Sequence, residues 1–444
     1  MKKYLIGLVL LLPSIVFASE SVWVSGTPDY PANNATEYNT PFTGCQTYED
    51  NGYERQVVVA GPGTISKLYA TSSKTPGSGN SWTLTIYKDS GGGWEATDIT
   101  CTMSDSEQTC DCGAATDTIA AGDLILMYTI PTSGPTGGAV IKWSVTFDGD
   151  NAAESIYGFG AWDLHTSYVR YFQAVAYSSA GSSVETQQNV VPINGTIRDL
   201  YVKAHNNPSE GDSWIITLML DGEPTALTCT IADDGGGQTT CNNTSDTVAV
   251  TAGQKIAFEA DPESYPDATR LGGGYIFVAD TDGEFMLLSG GNDDLNPSAT
   301  EYGAVHTHGW GLGSQGGKKQ LSTAFTATGM YVYTTAVAGA GNSYDFALDD
   351  DTSSTSVTCQ IAGDADTTCN ITGESVSIAT TSYLETSIVP TSSPDVVDAR
   401  VSYIGYIAPE EAGERRVIMI GGNNEEDINS DWYSCLFGNT SVRR

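Results

Sequence analysis

The sequence is short of basic residues. It contains 19 Lys and Arg against 54 Asp and Glu, and its formal net charge is −35. A surface of this charge repels phosphate backbones, so nucleic acid is not an expected partner. Only 4 His are present, and neither a Gly-x-Ser-x-Gly motif nor a Cys–His arrangement at a catalytic spacing occurs. We therefore do not expect an enzyme.

Long apolar runs are also missing after the N-terminus. Residues 1–18 have Lys2 and Lys3 before an apolar run, followed by small residues at Val16 and Ala18. This order is typical of a secretory signal peptide cleaved after Ala18. The run is shorter than the roughly 20 residues of a membrane-spanning anchor. The sequence thus predicts a soluble protein without a membrane span that is secreted, extracellular or on the cell surface.

Helical periodicity is the third absence. After residue 18, segments such as SWTLTIYKD and SWIITLMLDG alternate apolar and polar residues between closely spaced Gly, Asn and Asp turns. This alternation is typical of antiparallel sheets. The sequence therefore predicts an all-β fold of antiparallel β-sandwiches. With roughly eight strands per domain we expect a jelly-roll-like sandwich, and an immunoglobulin-like sandwich is the alternative.

The chain repeats itself at a long interval. GTISKLYA, GTIRDLYV and FTATGMYVY place Tyr69, Tyr201 and Tyr331 about 130 residues apart, each twelve residues before a Ser-aromatic pair. A repeat of this length can bury a core of its own, so it predicts tandem domains. The predicted organisation is a signal peptide at 1–18, β-sandwich domains at 19–165 and 166–298, and a third domain with a C-terminal tail strand at 299–444.

Most of the 9 Cys lie in a recurring block of the form LTCTIADDGGGQTTC. Cysteines of an exported chain oxidise. We expect each block to be a hairpin whose paired strands are joined by a disulfide worth roughly 2–3 kcal/mol. The predicted pairs are Cys101–Cys110, Cys229–Cys241 and Cys359–Cys369. Cys112 lies two residues after Cys110, which leaves the first pairing open.

Two further cysteines lie in segments that resemble the opening of a repeat. Cys45 follows NNATEYNTPFTG, and Cys435 lies in EEDINSDWYSCLFGN, which looks like a fourth opening strand. One hypothesis is that the two segments meet and form a disulfide, within one chain or between successive molecules in a head-to-tail exchange. The alternative is a tail that covers the third domain, with Cys435 paired with Cys112 or unpaired.

Metal ligands are the remaining candidate chemistry. His306 and His308 share one face of a predicted strand and are candidate ligands of a transition metal; the alternative is a solvated strand face. Asp349, Asp350 and Asp351 are candidate Ca²⁺ ligands, because calcium binds clusters of oxygen atoms on loops; the alternative is a solvated turn. No other cofactor is expected.

The succession GTI-x-x-LY, SW-x-x-T, LTCTI and SATEY resembles a group of repeat modules. These are uncharacterised tandem β-sandwich modules of phage structural proteins and of exported proteins of environmental bacteria. The resemblance covers nearly all of the chain after residue 18. It implies a β-sandwich with a structural or binding role and supplies no catalytic residues. The signal peptide and the cysteines favour a bacterial exported protein.

These features predict an extracellular structural protein. We expect a subunit of a cell-surface coat, matrix or filament that self-associates head to tail through its C-terminal strand. The alternative is an adhesin or glycan-binding protein. Aromatic side chains that would stack on sugars in that case are Trp94, Trp162, Trp310 and Trp432. The alternative is that they fill the core or the interfaces between sheets.

Overall fold

The computed structural model describes most of the chain after residue 18. The described residues are 19–26, 31–39, 56–139, 141–149, 154–162, 164–303, 305, 319–320, 324–351, 353–379, 382–407 and 415–420. Their regular secondary structure consists of β-strands, which confirms the predicted all-β class. Within these ranges, no helix has the length and apolar character needed to cross a membrane.

The strands fall into three sets, which we call units 1, 2 and 3. Unit 1 comprises β1 (Ser19–Gly26), β2 (Glu37–Asn39), β3 (Val57–Val58), β4 (Gly63–Ser72), β5 (Gly77–Asp89), β6 (Glu95–Asp105), β7 (Thr109–Asp111), β8 (Thr116–Ile119), β9 (Leu124–Thr132) and β10 (Ile141–Gly149). Unit 2 comprises β11 (Glu154–Trp162), β12 (Arg170–Phe172), β13 (Ala176–Ser179), β14 (Asn189–Val190), β15 (Gly195–Ala204), β16 (Ser213–Leu220), β17 (Glu223–Ala232), β18 (Thr240–Val250), β19 (Lys255–Glu263) and β20 (Leu271–Ala279).

Unit 3 comprises β21 (Glu284–Asp294), β22 (Glu301–Gly303), β23 (Lys319–Gln320), β24 (Phe325–Thr334), β25 (Gly339–Asp350), β26 (Ser353–Gly363), β27 (Thr368–Ile378), β28 (Tyr383–Thr391) and β29 (Asp398–Tyr406). A last strand, β30 (Arg415–Ile420), follows unit 3. The repeat in the sequence therefore corresponds to a repeated order of strands.

Each unit is a sandwich of two sheets with the same strand order. In unit 2 one sheet runs β13-β11-β20-β15-β18 and the other runs β12-β19-β16-β17, with β14 also paired to β19. Units 1 and 3 contain the corresponding orders β1-β10-β4-β7 with β2-β9-β5-β6, and β21-β29-β24-β27 with β22-β28-β25-β26. Unit 2 has eight main strands if β13 and β14 are left out, and its first sheet then contains the first, eighth, third and sixth of them in that order. This is the arrangement of a jelly roll rather than an immunoglobulin fold.

Alternation along the strands fills a core between the two sheets of each unit. In β15, Ile197, Leu200 and Val202 are fully buried or nearly so. They join Trp214 and Phe258 of the opposite sheet in one hydrophobic cluster. Burying a large apolar side chain contributes roughly 1.5–3 kcal/mol, so these clusters hold the two sheets together.

The strand that opens a unit lies next to the preceding unit. β11 pairs antiparallel with β20, and β21 pairs antiparallel with β29. The predicted domain bounds of 19–165 and 166–298 place each of these strands at the end of the preceding domain. The sheets join each of them to the strands that follow it, because the strand order of a jelly roll pairs the first strand with the last.

The fourth strand of this kind, β30, returns to unit 1. It runs parallel to β1, from the pair Ser19–Arg415 to the pair Val24–Ile420. It extends the first sheet of unit 1 to β30-β1-β10-β4-β7 and also packs near β11 and β21. The chain therefore comes back to its first sheet after three units.

Candidate functional site: the junctions between units

Each sheet that contains an opening strand presents two sets of side chains. In β11, Tyr157 and Phe159 belong to the core of unit 2, whereas Ile156 belongs to the cluster of unit 1. In β20, Phe277 belongs to the core of unit 2 and Ile276 to the cluster of unit 1. Neighbouring residues of a strand point to opposite faces. We call the face turned away from the unit's own core its outer face, and unit 1 packs on the outer face of unit 2.

Unit 1 meets this outer face with the segment 56–61, which contains β3. β3 packs against β15 and β20. A Cβ atom added to Gly274 would lie 2.8 Å from the carbonyl oxygen of Val58, and one added to Gly61 would lie 3.1 Å from Cδ1 of Ile276. Glycine at 274 lets the backbone of Val58 approach this closely, and glycine at 61 leaves room for the side chain of Ile276.

Units 2 and 3 form the same junction at corresponding positions. Met286, Leu288 and Ile404 lie on the outer face of unit 3 and belong to the cluster of unit 2. β14 takes the place of β3 and packs against β21, β24 and β29. The junction between units 1 and 2 is called junction 1–2 below, and that between units 2 and 3 is called junction 2–3.

A serine replaces the critical glycine in junction 2–3. The pairing of β24 with β29 puts Ser402 at the register position that Gly274 occupies in unit 2. The buried Ser402 hydroxyl donates a hydrogen bond of 2.6 Å to the carbonyl oxygen of Val190. Val190 lies on β14, as Val58 lies on β3. Both junctions therefore direct a backbone carbonyl at the same place on the outer face.

A turn of one unit also meets a tyrosine of the next unit. Gly122 and Gly253 have φ angles of 89° and 90°, in the left-handed region that favours glycine. A Cβ atom added to Gly122 would lie 3.3 Å from the ring of Tyr201, and one added to Gly253 would lie 4.0 Å from the ring of Tyr331. Tyr201 and Tyr331 are half-buried, so two of the three repeat tyrosines have a junction contact.

Junction 2–3 contains further buried polar contacts. The Tyr157 hydroxyl accepts a hydrogen bond of 3.0 Å from the amide of Met286 and donates one of 2.9 Å to its carbonyl oxygen. Burial raises the pKa of Tyr157 well above its usual range, so the phenol stays protonated and can donate. Arg400 is completely buried and donates to the carbonyl oxygen of Thr186. These bonds satisfy backbone groups that the junction removes from water.

Two glutamates at one register position have different surroundings. Glu154 on β11 forms an ion pair with Arg198. Glu284 opens β21 at the corresponding position. Burial raises the pKa of Glu284, and a hydrogen bond from the side chain of Thr281 opposes that shift. The ionised form of Glu284 is therefore disfavoured in the folded chain.

The free edge of an opening strand is covered differently in each unit. In unit 2, β13 runs parallel to β11 along that edge. In unit 1, β30 runs parallel to β1 in the corresponding place. In unit 3, the Tyr157 hydroxyl forms hydrogen bonds with the backbone amide and carbonyl of Met286 on the edge of β21. Strand β30, from the far end of the chain, thus occupies a place that unit 2 fills with its own segment.

The disulfides connect the two sheets within each unit. They join Cys101 to Cys110, Cys229 to Cys241, and Cys359 to Cys369. The prediction that the two cysteines lie on paired strands was wrong. β17 pairs with β16 and β18 pairs with β15, so Cys229 and Cys241 belong to opposite sheets. Two alternating segments joined by a turn can form a hairpin within one sheet or a connection between two sheets. The sequence pattern does not distinguish these two structures.

Cys112 is a free, half-buried thiol. Its sulfur accepts a hydrogen bond of 3.0 Å from the amide of Leu68. This contact ties the segment after the first disulfide to β4. Cys45 and Cys435, the candidates for chain closure, lie outside the described residues.

The candidate metal ligands do not form a site within the described ranges. Asp349 is buried and accepts a hydrogen bond of 2.7 Å from the Ser354 hydroxyl. Burial raises the pKa of Asp350, and Asp351 is exposed in a turn. No group of three or more His, Cys, Asp or Glu in the described part of the chain could hold a metal ion. His306 and His308 lie outside that part, and calcium stays a prediction.

The junction residues were not identified from the sequence. Arg400 and Ser402 interrupt the strand DARVSYIGY, in which almost every residue is buried. Tyr157 is buried at a strand position where Leu287 stands in unit 3. Polar residues inside a strand that is apolar on both faces are a signal for a packed outer face, because a solvated face would alternate.

Comparison of the chain with protein-family models and with curated proteins gave no match. The function is therefore inferred from the junctions, the returning strand and the disulfides.

Proposed function

We propose that the protein is an extracellular structural protein that assembles into a cell-surface coat, matrix or filament. The observation that carries the proposal is the junction used twice in one chain. It is heterologous, because the outer face of one unit receives the segment and the turn of the unit before it. An interface of this type continues from copy to copy unless it closes on itself.

We further propose that β30 links successive copies. β30 pairs with the edge of β1 over six residues. Adding a strand to an open sheet edge is a common way to join chains, because the backbone supplies the hydrogen bonds. A strand that pairs within one chain can form the same pairing with a second copy, as in domain swapping. The disulfides support an oxidising environment for the assembly.

Light scattering and negative-stain electron microscopy of the protein from residue 19 onward test this function. We expect polymers whose size increases with protein concentration, and we expect deletion of 415–444 to reduce them to single chains. The matched control deletes 421–444 and keeps β30, and a Cys435→Ser variant removes the tail thiol alone. Single chains at every concentration would contradict the structural role. Polymers that persist without 415–444 would contradict the role of β30.

A further inference from the structure

We infer that unit 2 carries a binding site for a neutral polysaccharide at one end of its sandwich. Two exposed tyrosines, Tyr168 and Tyr265, form the site together with polar side chains of the neighbouring loops. The inference goes beyond the proposed function and does not depend on it, because a single chain would bind the ligand as an assembled one does.

Three loops lie side by side at this end of unit 2, and we call them the loop end. They are 164–169 before β12, 205–212 between β15 and β16, and 264–270 between β19 and β20. The amide of Leu164 donates a hydrogen bond of 3.2 Å to the carbonyl oxygen of Thr269. The amide of Asn206 donates one of 2.9 Å to the Thr269 hydroxyl. Loops held together on a rigid scaffold are the usual place for binding residues.

Two tyrosine side chains of the loop end are open to solvent. Tyr168 is 65% exposed and Tyr265 is 74% exposed. Among the residues that the structure describes, these are the two most exposed large hydrophobic side chains. A ring this open offers a flat apolar face with a polar tip. It is suited to stacking on the apolar face of a sugar ring, whereas a cage for an organic cation would enclose its ligand.

Tyr168 is specific to unit 2. The registers of β2, β12 and β22 place Ala35 of unit 1 and Ala299 of unit 3 at the position of Tyr168. Units 1 and 3 thus form the same loop with a methyl group at this position. Packing within the chain does not account for the larger side chain in unit 2, because most of its surface is exposed.

Tyr265 replaces a small residue in a turn that all three units share. Gly134 and Ser393 hold the aligned position. The φ angles of Tyr265, Gly134 and Ser393 are 72°, 72° and 59°. A bulky side chain is rare in this left-handed region and destabilises the backbone. Because Tyr265 is exposed, burial does not offset that cost, and a contact of the ring with a ligand accounts for its presence.

The ring of Tyr168 is positioned by its own loop. The ring centroids of His165 and Tyr168 are 4.5 Å apart. His165 is fixed in turn, because its Nδ1 accepts a hydrogen bond of 3.1 Å from the amide of Ser167. A ring that is already ordered loses less conformational entropy when a ligand binds.

The polar side chains of the loop end select an uncharged ligand. Asp267 lies two residues after Tyr265 and is exposed, and its carboxylate accepts a hydrogen bond of 2.7 Å from the Ser209 hydroxyl. A carboxylate held in this way can accept hydrogen bonds from sugar hydroxyls. Glu210 and Glu263 are also exposed on these loops. Their negative charge repels acidic sugars, so the site favours a neutral polysaccharide.

Affinity electrophoresis tests the ligand class. The mature chain from residue 19 is run in native gels that contain a soluble β-glucan, α-glucan, mannan or galactan, and in a gel that contains the anionic polysaccharide alginate. We expect retardation in at least one neutral gel and none in alginate. No retardation in any neutral gel would overturn the inference. Binding of alginate alone, or of choline alone in titration calorimetry, would overturn the assigned ligand class.

Substitutions to the residues of unit 1 test the site itself. We expect Tyr168→Ala and Tyr265→Gly each to weaken binding by about tenfold or more, as truncation of an aromatic anchor does. Tyr265→Gly should not lower the melting temperature, because glycine accepts the positive φ angle. The control is Tyr69→Ala, at a tyrosine of β4 that is 44% exposed, which should bind as the unchanged protein does.

Two results would overturn the assignment of the site. Binding that survives both Tyr168→Ala and Tyr265→Gly would place any polysaccharide site elsewhere. A lower melting temperature for Tyr265→Gly would show that the tyrosine is retained for stability. Light scattering of the same variants reports the assembly separately, so loss of binding and failure of the proposed function are distinguishable.

Discussion

Junction 1–2 and junction 2–3 bring the same surfaces together with different side chains. In junction 1–2, Gly272 and Gly274 let the backbone of unit 1 approach the sheet directly. In junction 2–3, Arg400 and Ser402 hold the corresponding positions and donate hydrogen bonds to backbone carbonyls of unit 2. A close approach between backbones is thus retained either by removing a side chain or by choosing one that hydrogen-bonds to the approaching carbonyl.

The largest effect should come from filling the space in junction 1–2. A Cβ atom at Gly274 would lie 2.8 Å from the carbonyl oxygen of Val58 and 3.2 Å from that of Tyr157. We expect Gly274→Val to lower the free energy of unfolding by about 2–3 kcal/mol through overpacking. Urea unfolding followed by fluorescence measures the change. Gly92→Val is the control, because a Cβ atom there meets nothing within 4 Å. Equal stabilities of the two variants would contradict the glycine requirement.

Removing the hydroxyl of Tyr157 should weaken junction 2–3 nearly as much. Tyr157→Phe leaves the buried amide and carbonyl of Met286 without the hydroxyl that serves both. Leaving buried polar groups unsatisfied costs about 1–3 kcal/mol each, so we expect a loss of about 2–3 kcal/mol in thermal or urea unfolding. Tyr275→Phe is the matched control. Within the part of the chain that the structure describes, its buried hydroxyl has no hydrogen-bond partner, and the change should be neutral or stabilising. A larger loss for Tyr275→Phe would refute this explanation.

Ser402→Ala should have a smaller effect at the position where the junctions differ most directly. The substitution removes the hydrogen bond to the carbonyl oxygen of Val190 but leaves enough room for the approach. We expect a loss of about 1–2 kcal/mol in the free energy of unfolding. Gly274→Ser makes the converse change in junction 1–2 and provides a comparison in the same assay. The explanation fails if Ser402→Ala has no measurable effect.

The smallest effect concerns Glu284 and depends on pH. Burial raises the pKa of Glu284 above its usual value, so its ionised form costs stability at neutral pH. That cost disappears as the pH falls through the raised pKa, because the folded chain binds the proton more tightly than the unfolded chain. We expect Glu284→Gln to stabilise the protein at neutral pH by less than about 1 kcal/mol, since water screens a partly exposed group.

The pH dependence of this difference is the readout. The gain from Glu284→Gln should shrink as the pH is lowered through the raised pKa of Glu284, measured by urea unfolding at several pH values. Glu154→Gln is the control, because Glu154 is ion-paired with Arg198 and its loss should destabilise the protein at neutral pH. If both substitutions changed the free energy of unfolding in the same direction at neutral pH, the two positions would be equivalent.

Much of the fold could be predicted from the sequence, because strand alternation and the spacing of turns are local properties. The variation of unit 3 could not. Its β24 starts with Phe325 where the other units have the glycine of GTI, and the partner strand β29 has Gly405 where β20 has Phe277. In unit 2, a Cβ atom on Gly195 would lie 2.5 Å from the ring of Phe277. A large and a small residue have exchanged strands, which keeps the core volume and hides the repeat.

The junctions were harder to predict than the fold. A strand that is buried on both faces has a nearly continuous apolar sequence. No local feature of that sequence shows that one of the faces packs against another unit. Arg400 is fully buried, although charged side chains are rarely fully buried unless they are paired, so its residue type gives no sign of this position. The disulfide partners followed from the repeat. Their placement on opposite sheets depends on long-range topology, which the cysteine spacing does not contain.

The most direct test of the account is the distance between successive units in assembled protein. Class averages from cryo-electron microscopy of polymers formed by the mature chain would show the spacing within a copy and across the contact between copies. We expect polymers in which units 1 and 2 are as far apart as units 2 and 3, because the two junctions bring the same surfaces together. Different spacings at the two junctions, or single chains at every concentration, would contradict this.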